Sequence, residues 1–185
     1  MTVQRADARR NYARILAVAE AEVAAHGGDA SLEQIARVAG VGSATVRRHF
    51  PGRRAMLQAV FSERVEVLCA RAAELADAAD ARAALLEWLG DLTTYSASAR
   101  GMADALVQDG ADDADHVNVC SAKLGGAVDP LLRNAARAGA VAPDVTVADL
   151  VTLVTGIALA TEHHQDPVAE AHRLLGLTVH GLSPR

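Results

Sequence analysis

Residues 31–54, SLEQIARVAGVGSATVRRHFPGRR, decide the fold of this chain. They divide into two short helical segments joined by a tight turn. Ser31 can cap the first helix, and Gln34, three residues later, can complete a capping box. Gly40 tolerates the left-handed conformation that ends a helix. The stretch therefore has the pattern of a helix-turn-helix, a motif that places its second helix in the major groove of DNA.

The second predicted helix has one apolar side and one polar side. Val46 and Phe50 are four residues apart, so they share a face and should point into the small core. The opposite face carries small and basic residues, which can approach base edges closely or bind phosphates. An ordinary helical hairpin with a solvated basic face would give the same local pattern, because short helix-turn-helix matches arise by chance.

The segment GVGSATVRRHFPGRRAML resembles the DNA-binding signature of TetR-family transcriptional regulators, Gly-Val-Ser/Gly-x-x-x-Leu-Tyr-x-His-Phe-x-x-Lys-x-x-Leu-Leu. His49 and Phe50 stand at the His-Phe positions, and Val46, Arg53 and Met56-Leu57 stand at the Leu, Lys and Leu-Leu positions. Arg47 replaces the usual Tyr, which tends to contact a phosphate in the family. Arginine can make the same contact with a full charge. The resemblance is close over about the first 65 residues.

The resemblance assigns roles to the exposed residues of the predicted helix-turn-helix. It implies that bases are read by Ser43, Ala44, Thr45 and Arg48. It implies that phosphates are held by Arg47, His49 and Arg53, with Ser31 also at the DNA-binding face.

The charge distribution divides the chain into two parts. Residues 1–54 carry nine Lys or Arg and five Asp or Glu, a net charge of +4. The whole chain has a net charge of −5, so residues 55–185 carry −9, with nine basic and 18 acidic residues. A basic head on an acidic body is expected when only the head meets DNA. We therefore predict a DNA-binding domain over 1–54 and a helical domain over 55–185.

Length and composition favour an all-α protein. The 185 residues suffice for one large or two small domains, and aromatic residues make up only 3%. Cys69 and Cys120 form no spaced framework, which is typical of a reducing compartment. No apolar stretch reaches the roughly 20 residues that span a bilayer, and no secretory signal opens the chain. We expect a cytoplasmic protein with no membrane partner.

Helical periodicity predicts about nine helices. Besides the two of the helix-turn-helix, they cover about 7–25, 53–75, 81–98, 100–109, 113–138, 147–162 and 167–180. Pro130 should kink or break the helix predicted over 113–138. The resemblance implies a ligand pocket among the middle helices, with plain core packing as the alternative. Its candidate lining residues are Trp88, Tyr95, Met102, Leu106, Cys120, Leu124 and Thr155.

The last two predicted helices are candidates for dimerisation. The segment VADLVTLVTGIALATE, residues 147–162, is apolar nearly all round, so it must be buried on more than one side. Packing on its own body and on a second copy would bury both sides; a central helix in a monomer is the alternative. The expected homodimer contacts are Leu150, Val154, Ile157, Thr161, Ala171, Leu174 and Leu175.

Catalytic and metal-binding patterns are weak in this sequence. His116 and Cys120 are four residues apart, and His163 and His164 fall in a predicted loop. A zinc site needs three or four ligands at recognisable spacing. Gly40-Val-Gly42 lacks the preceding strand and third glycine of a dinucleotide loop, and no Gly-x-Ser-x-Gly elbow occurs. We expect no metal, no cofactor and no enzymatic activity.

The resemblance implies a homodimeric, ligand-responsive, one-component transcriptional regulator. It would act as a repressor on palindromic operator DNA and be released by a small-molecule effector. Two alternatives stay open. One is a helical ligand-binding or enzymatic protein whose basic hairpin is incidental. The other is a non-specific architectural DNA-binding protein, which the acidic body argues against.

Overall fold

The computed structural model describes residues 2–98 and 112–181, with side chains for 7–98 and 119–181. The elements in these ranges are all helical, which confirms the all-α fold class. Eight are α-helices: α1 Thr2–His26, α2 Leu32–Ala39, α3 Ser43–His49, α4 Arg53–Leu75, α5 Ala81–Ser98, α6 Asp112–Arg137, α7 Val147–Thr161 and α8 Pro167–His180. The helix predicted over 100–109 lies outside the described residues. Within the described residues, no helix is both long and apolar enough to cross a membrane.

The turn between α2 and α3 forms as the sequence predicts. Gly40 has φ of 65°, in the left-handed region. The Val41 amide donates to the Ala36 carbonyl oxygen at 3.0 Å, which satisfies a carbonyl at the end of α2. A residue with a Cβ would be strained at this φ, so glycine is required by the backbone.

The start of α2 is capped differently from the prediction. The Ser31 hydroxyl oxygen accepts from the Gln34 amide at 3.3 Å, so Ser31 is the cap. The expected capping box does not close, because the Gln34 side chain accepts from Arg37 instead. The Ser31 amide donates to a Glu22 carboxylate oxygen at 3.3 Å. A carboxylate from α1 thus performs the second half of the box.

The later helices also begin at residues whose side chains cap them. Thr146 and Asp149 form a reciprocal capping box at α7. Asp166 accepts from the Ala169 amide at 3.0 Å, and a proline occupies the first turn of α8. Pro130 does not break the helix, since α6 continues through it; the alternative expectation, a kink, stays a prediction. Pro130 removes one hydrogen bond to the carbonyl four residues earlier. That residue, Gly126, is exposed, so water can bond to its carbonyl.

Contacts between helices divide the chain into two compact units. The first contains residues 2–63 and 112–116 of the described chain, and the second contains residues 64–98 and 117–181. The first boundary falls within α4, nine residues after the predicted domain boundary at residue 54.

The first unit is a small helical core built on α1, α2 and α3. α2 packs against both α1 and α3. The apolar side of α2 is buried, as is one side of α1. The buried apolar side chains of this unit are Ile15, Leu16, Ala19, Val23, Ala30, Leu32, Ile35, Ala36, Ala39, Val46, Phe50, Met56, Leu57 and Val60.

The second unit packs α5 against α7 and α8, which also contact each other. Small residues meet there: Ala97, Ala158 and Ala171 form a buried cluster with Ile157 and Val168 beside it. Elsewhere in this unit, the Trp88 side chain is fully buried and its Nε1 donates to the Leu68 carbonyl oxygen at 3.1 Å. This hydrogen bond joins α5 to α4 and leaves the indole N–H satisfied.

Candidate nucleic-acid interface

The short helix α3 is fixed to the first unit by its apolar side. Val46 is fully buried and Phe50, directly after the helix, is 1% exposed. The polar side that the sequence predicts therefore faces outward. Ser43, Ala44, Arg47 and Arg48 are exposed, whereas Thr45 and His49 are partly buried.

Arg48 has only a neutral partner among the described residues. Its guanidinium donates to the Thr45 hydroxyl oxygen at 3.2 Å, one turn earlier on the same helix. This bond is weak, because the Thr45 hydroxyl is uncharged, Arg48 is exposed to solvent and the distance is long. The guanidinium is thus available for a bidentate contact with guanine, the commonest specific contact in the major groove.

Arg47 is paired with an acidic residue of α2. Its guanidinium donates to a Glu33 carboxylate oxygen at 2.7 Å. The pKa of Glu33 is lowered, first by a hydrogen bond from its own backbone amide in the first turn of α2, then by Arg47. Glu33 is therefore held as a charged group beside Arg47. Both side chains are more than half exposed, at 55% for Arg47 and 67% for Glu33.

Arg53 forms a second ion pair of the same kind. Its guanidinium donates to an Asp29 carboxylate oxygen at 2.7 Å. Asp29 ends the 3₁₀ turn Gly27–Asp29, and Arg53 begins α4. The pair therefore links two elements that are 24 residues apart in sequence. Sequence reasoning named both arginines and missed both carboxylates, since nothing in the local pattern pairs residues so far apart.

His49 belongs to an aromatic cluster that sequence reasoning also missed. Its ring meets that of Tyr12 edge-on, with the centroids 5.4 Å apart, and Tyr12 also contacts Phe50 at 5.7 Å. The cluster fixes the imidazole ring at the end of α3. Tyr12 lies three residues before the buried Ile15 on α1, so helical spacing was the signal for its inward position.

Ser31 occupies a different position from the residues of α3. It is partly buried, and its hydroxyl oxygen is engaged as the cap of α2. Its predicted DNA contact stays a prediction.

The candidate pocket residues do not share one environment. Trp88, Cys120 and Leu124 are buried, and Tyr95 is partly buried beside Arg64, whose guanidinium carbon lies 5.8 Å from the Tyr95 ring centroid. Thr155 is exposed, since α7 buries the stripe of Val154 and Ala158 and turns Thr155 away from it. Met102 and Leu106 lie outside the described residues.

Most of the candidate dimer residues are buried within their own unit. These are Leu150, Val154, Thr161, Ala171 and Leu175, whereas Ile157 and Leu174 are partly exposed. A fully buried side chain such as Val154 has no surface left for a second copy. The same two helices expose a different apolar set, namely Leu153, Leu159 and Leu177, with Leu159 58% exposed.

Metal-binding side chains do not gather in the part of the chain that the structure describes, where no three His, Cys, Asp or Glu residues are placed to hold an ion. Cys69 and Cys120 are free thiols. Burial raises the pKa of Cys69, which is the behaviour of a core thiol. The side chain of His116 lies outside the described residues.

Comparison with known proteins relates both units to one group of regulators. Residues 15–60 match the bacterial regulatory proteins of the tetR family. Residues 80–184, more than half of the chain, match the C-terminal domain of SbtR-like transcriptional regulators. A comparison with curated proteins finds no match.

Two solved structures are similar over most of the chain. A TetR transcriptional regulator from Streptomyces coelicolor is 36% identical with a TM-score of 0.73, over 94% of this chain and 98% of that one. A TetR transcription regulatory protein from Mycobacterium vanbaalenii is 37% identical with a TM-score of 0.68, over 86% of this chain and 96% of that one.

Proposed function

Because the chain belongs to the TetR family of bacterial transcriptional regulators, we propose that it is a ligand-responsive repressor. In this proposal it binds palindromic operator DNA as a homodimer and leaves the operator when a small-molecule effector binds. The observation that carries the proposal is the outward face of α3, a helix fixed by Val46 and Phe50 with small and basic residues on its free side.

The free side of α3 has the chemistry that base reading needs. Ser43 and Ala44 are small and exposed, so the helix backbone can approach base edges closely. Thr45 can contact a thymine methyl group, and Arg48 can bind guanine. Arg47, His49 and Arg53 would hold phosphates and so fix the register of the helix on the duplex.

The exposed apolar side of α7 supports the homodimer. Leu153 and Leu159 are exposed there, and Thr155 and Gly156 lie between them on the exposed side. A second copy related by a two-fold axis would cover this surface with the same surface of its own. Leu177 of α8, which is also exposed, extends the surface. We propose these positions as the dimer contacts, with Ile157 and Leu174 at the border.

Two heads held by one dimer explain both selectivity and release. One head contacts few base pairs, whereas two heads on a two-fold axis read two half-sites separated by about 34–36 Å or a multiple of it. An effector can bind more tightly to a dimer whose two DNA-binding domains do not have this spacing. Such an effector shifts the population of dimers away from the operator-bound form. Its binding site would lie in the second unit, where the buried candidates are Trp88, Cys120 and Leu124.

The decisive experiment is fluorescence anisotropy on DNA from upstream of the protein's own gene, with scrambled DNA of equal length, at two salt concentrations. The proposal predicts tight, sequence-selective binding with two chains per site. Loss of this signal on adding a compound would then identify effectors.

The alternative functions give different results in the same experiment. Equal affinity for both DNAs that disappears with salt would indicate a non-specific DNA-binding protein. A monomer that binds neither DNA at low salt would favour a helical ligand-binding or enzymatic protein.

A further inference from the structure

The arginines at the candidate DNA-binding face are of two kinds. Arg48, proposed to read bases, contacts only the Thr45 hydroxyl. Arg47 and Arg53, proposed to hold phosphates, each contact a carboxylate at 2.7 Å. Phosphate contacts carry no sequence information. The two arginines proposed to make them, Arg47 and Arg53, are therefore neutralised by carboxylates, whereas Arg48, the arginine proposed to read bases, is not.

We infer that Glu33 and Asp29 tune the affinity for DNA, because they compete with DNA phosphates for Arg47 and Arg53 and so hold down the affinity for DNA of any sequence. This inference rests on the proposed DNA-binding function. It concerns the backbone contacts, which supply nearly all of non-specific binding.

The geometry supports competition because the carboxylates are exposed and the ion pairs are weak. Glu33 is 67% exposed and Asp29 is 93% exposed, so neither pair is protected from solvent. Exposed ion pairs are easily exchanged for another partner. A phosphate that takes Arg47 or Arg53 must nevertheless displace a carboxylate, which then lies close to the polyanion and repels it.

Glu33 also lies beside Arg47 in its charged form. Its pKa is lowered by hydrogen bonds from its own backbone amide, from Arg47 and from Ser31, so it stays charged throughout the neutral range. The start of α2 holds it, and Arg47 of α3 must meet it there.

The test measures the affinity of the full-length protein for scrambled duplex DNA by anisotropy across a salt series. Glu33→Gln and Asp29→Asn keep the side-chain shape and remove the charge. We expect each to bind scrambled DNA about two- to fivefold more tightly, because one exposed ion pair no longer competes. The dependence of log affinity on log salt should steepen by up to about one for each arginine released per protomer.

A matched control separates the ion pairs from net charge. Glu63→Gln removes the same charge from an exposed residue of α4 for which the structure describes no ion pair. It should bind scrambled DNA as the wild type does. A double-mutant cycle gives a second control, because Glu33→Gln should add little affinity once Arg47→Gln has removed its partner.

The possible outcomes are distinct. Tighter binding by Glu33→Gln and Asp29→Asn, without a change in Glu63→Gln, would support the inference. Unchanged binding would overturn it. Weaker binding would also overturn it, because it would show that the carboxylates orient the arginines for DNA binding. If the wild type and all variants bind no DNA even at low salt, the proposed function fails and this inference fails with it.

Discussion

At the scale of single residues, the exposed side of α3 carries side chains in two kinds of surroundings. Ser43 and Ala44 offer little bulk, and Arg48 offers a guanidinium that no carboxylate of the described chain engages. Arg47 and His49 are restrained, the first by Glu33 and the second by the ring of Tyr12. A cation without an acidic partner, next to restrained groups, suits the proposed base reading accompanied by backbone contacts.

We predict that Arg48→Ala loses operator selectivity while the protein stays folded and dimeric. A bidentate contact between arginine and guanine discriminates by about 1–3 kcal/mol, so operator affinity should fall roughly five- to 150-fold. Anisotropy on operator and scrambled DNA measures the loss. Arg82→Ala, an exposed arginine of α5, is the control and should bind as the wild type does. Unchanged operator affinity in Arg48→Ala would contradict the assignment of this face.

The exposure of residues on α3 could be predicted from sequence, but the partners of Arg47 and Arg53 could not. Helical spacing places Val46 inside and Arg48 outside because both lie in one helix of known period. The ion pair of Arg47 with Glu33 spans 14 residues and depends on the packing of α2 against α3. The Ser31 amide at the start of α2 is a second example. The local pattern predicts that the Gln34 side chain accepts from it, but tertiary packing brings the Glu22 carboxylate of α1 to that amide instead.

At the scale of elements, the helix ends follow residues whose chemistry acts locally. Gly40 stops α2 through its left-handed backbone, and Asp166 starts α8 through its carboxylate. The capping box of α7 is reciprocal, since the Thr146 hydroxyl oxygen accepts from the Asp149 amide at 3.2 Å while Asp149 accepts from Thr146. Such signals involve three or four residues, and that is why sequence locates them.

We predict that Thr146→Ala lowers the free energy of unfolding by about 1 kcal/mol at neutral pH, because α7 loses its cap. Chemical denaturation measures the loss. The pKa of Asp149 is lowered from 3.8, first by the Thr146 hydroxyl and then by the Thr146 amide. The contribution of the Asp149 carboxylate to stability is complete when the pH is above its pKa in the unfolded chain. It is lost as the pH falls through the lower pKa that Asp149 has in the folded protein.

The difference between wild type and Thr146→Ala should therefore narrow in acid. It should not disappear, because the Thr146 hydroxyl still accepts from the Asp149 amide when the carboxylate is protonated. A difference that stays constant between pH 5 and pH 3 would show that the cap acts without the carboxylate.

Pro130 and α7 show what the local sequence leaves undecided about helices. Proline removes one hydrogen bond from α6, but the neighbouring bonds persist and an exposed Gly126 carbonyl can bond to water, so the helix continues. The sequence of α7 is apolar on nearly every side, so it contains no polar face that distinguishes the protomer core from a contact surface. The packing of α5 decides that Val154 faces inward and Leu159 outward.

At the scale of the whole molecule, the proposed dimer depends on that outward surface. We predict that Leu159→Glu converts the dimer to a monomer with unchanged helical content, because a charge would be buried without a partner. Analytical ultracentrifugation measures the assembly state. The variant should also lose operator affinity, since one head alone binds weakly.

Val67→Glu is the matched control for this variant. Val67 is 55% exposed on α4, away from α7 and α8 in sequence, so the same charge there should leave the dimer intact. A dimer that survives Leu159→Glu would place the contact surface outside α7. Loss of the dimer in both variants would indicate a general effect of charge on assembly.

Trp88 provides the molecule with an optical reporter. It is the single tryptophan of the chain, so ultraviolet emission excited at the indole band comes from this side chain alone. The ring is shielded from water and its N–H is tied to the Leu68 carbonyl of α4. A shift of α5 along α4 would break that bond and change the emission wavelength or lifetime. Binding of an effector or of DNA could thus be followed at this junction in unlabelled protein, with no residue replaced.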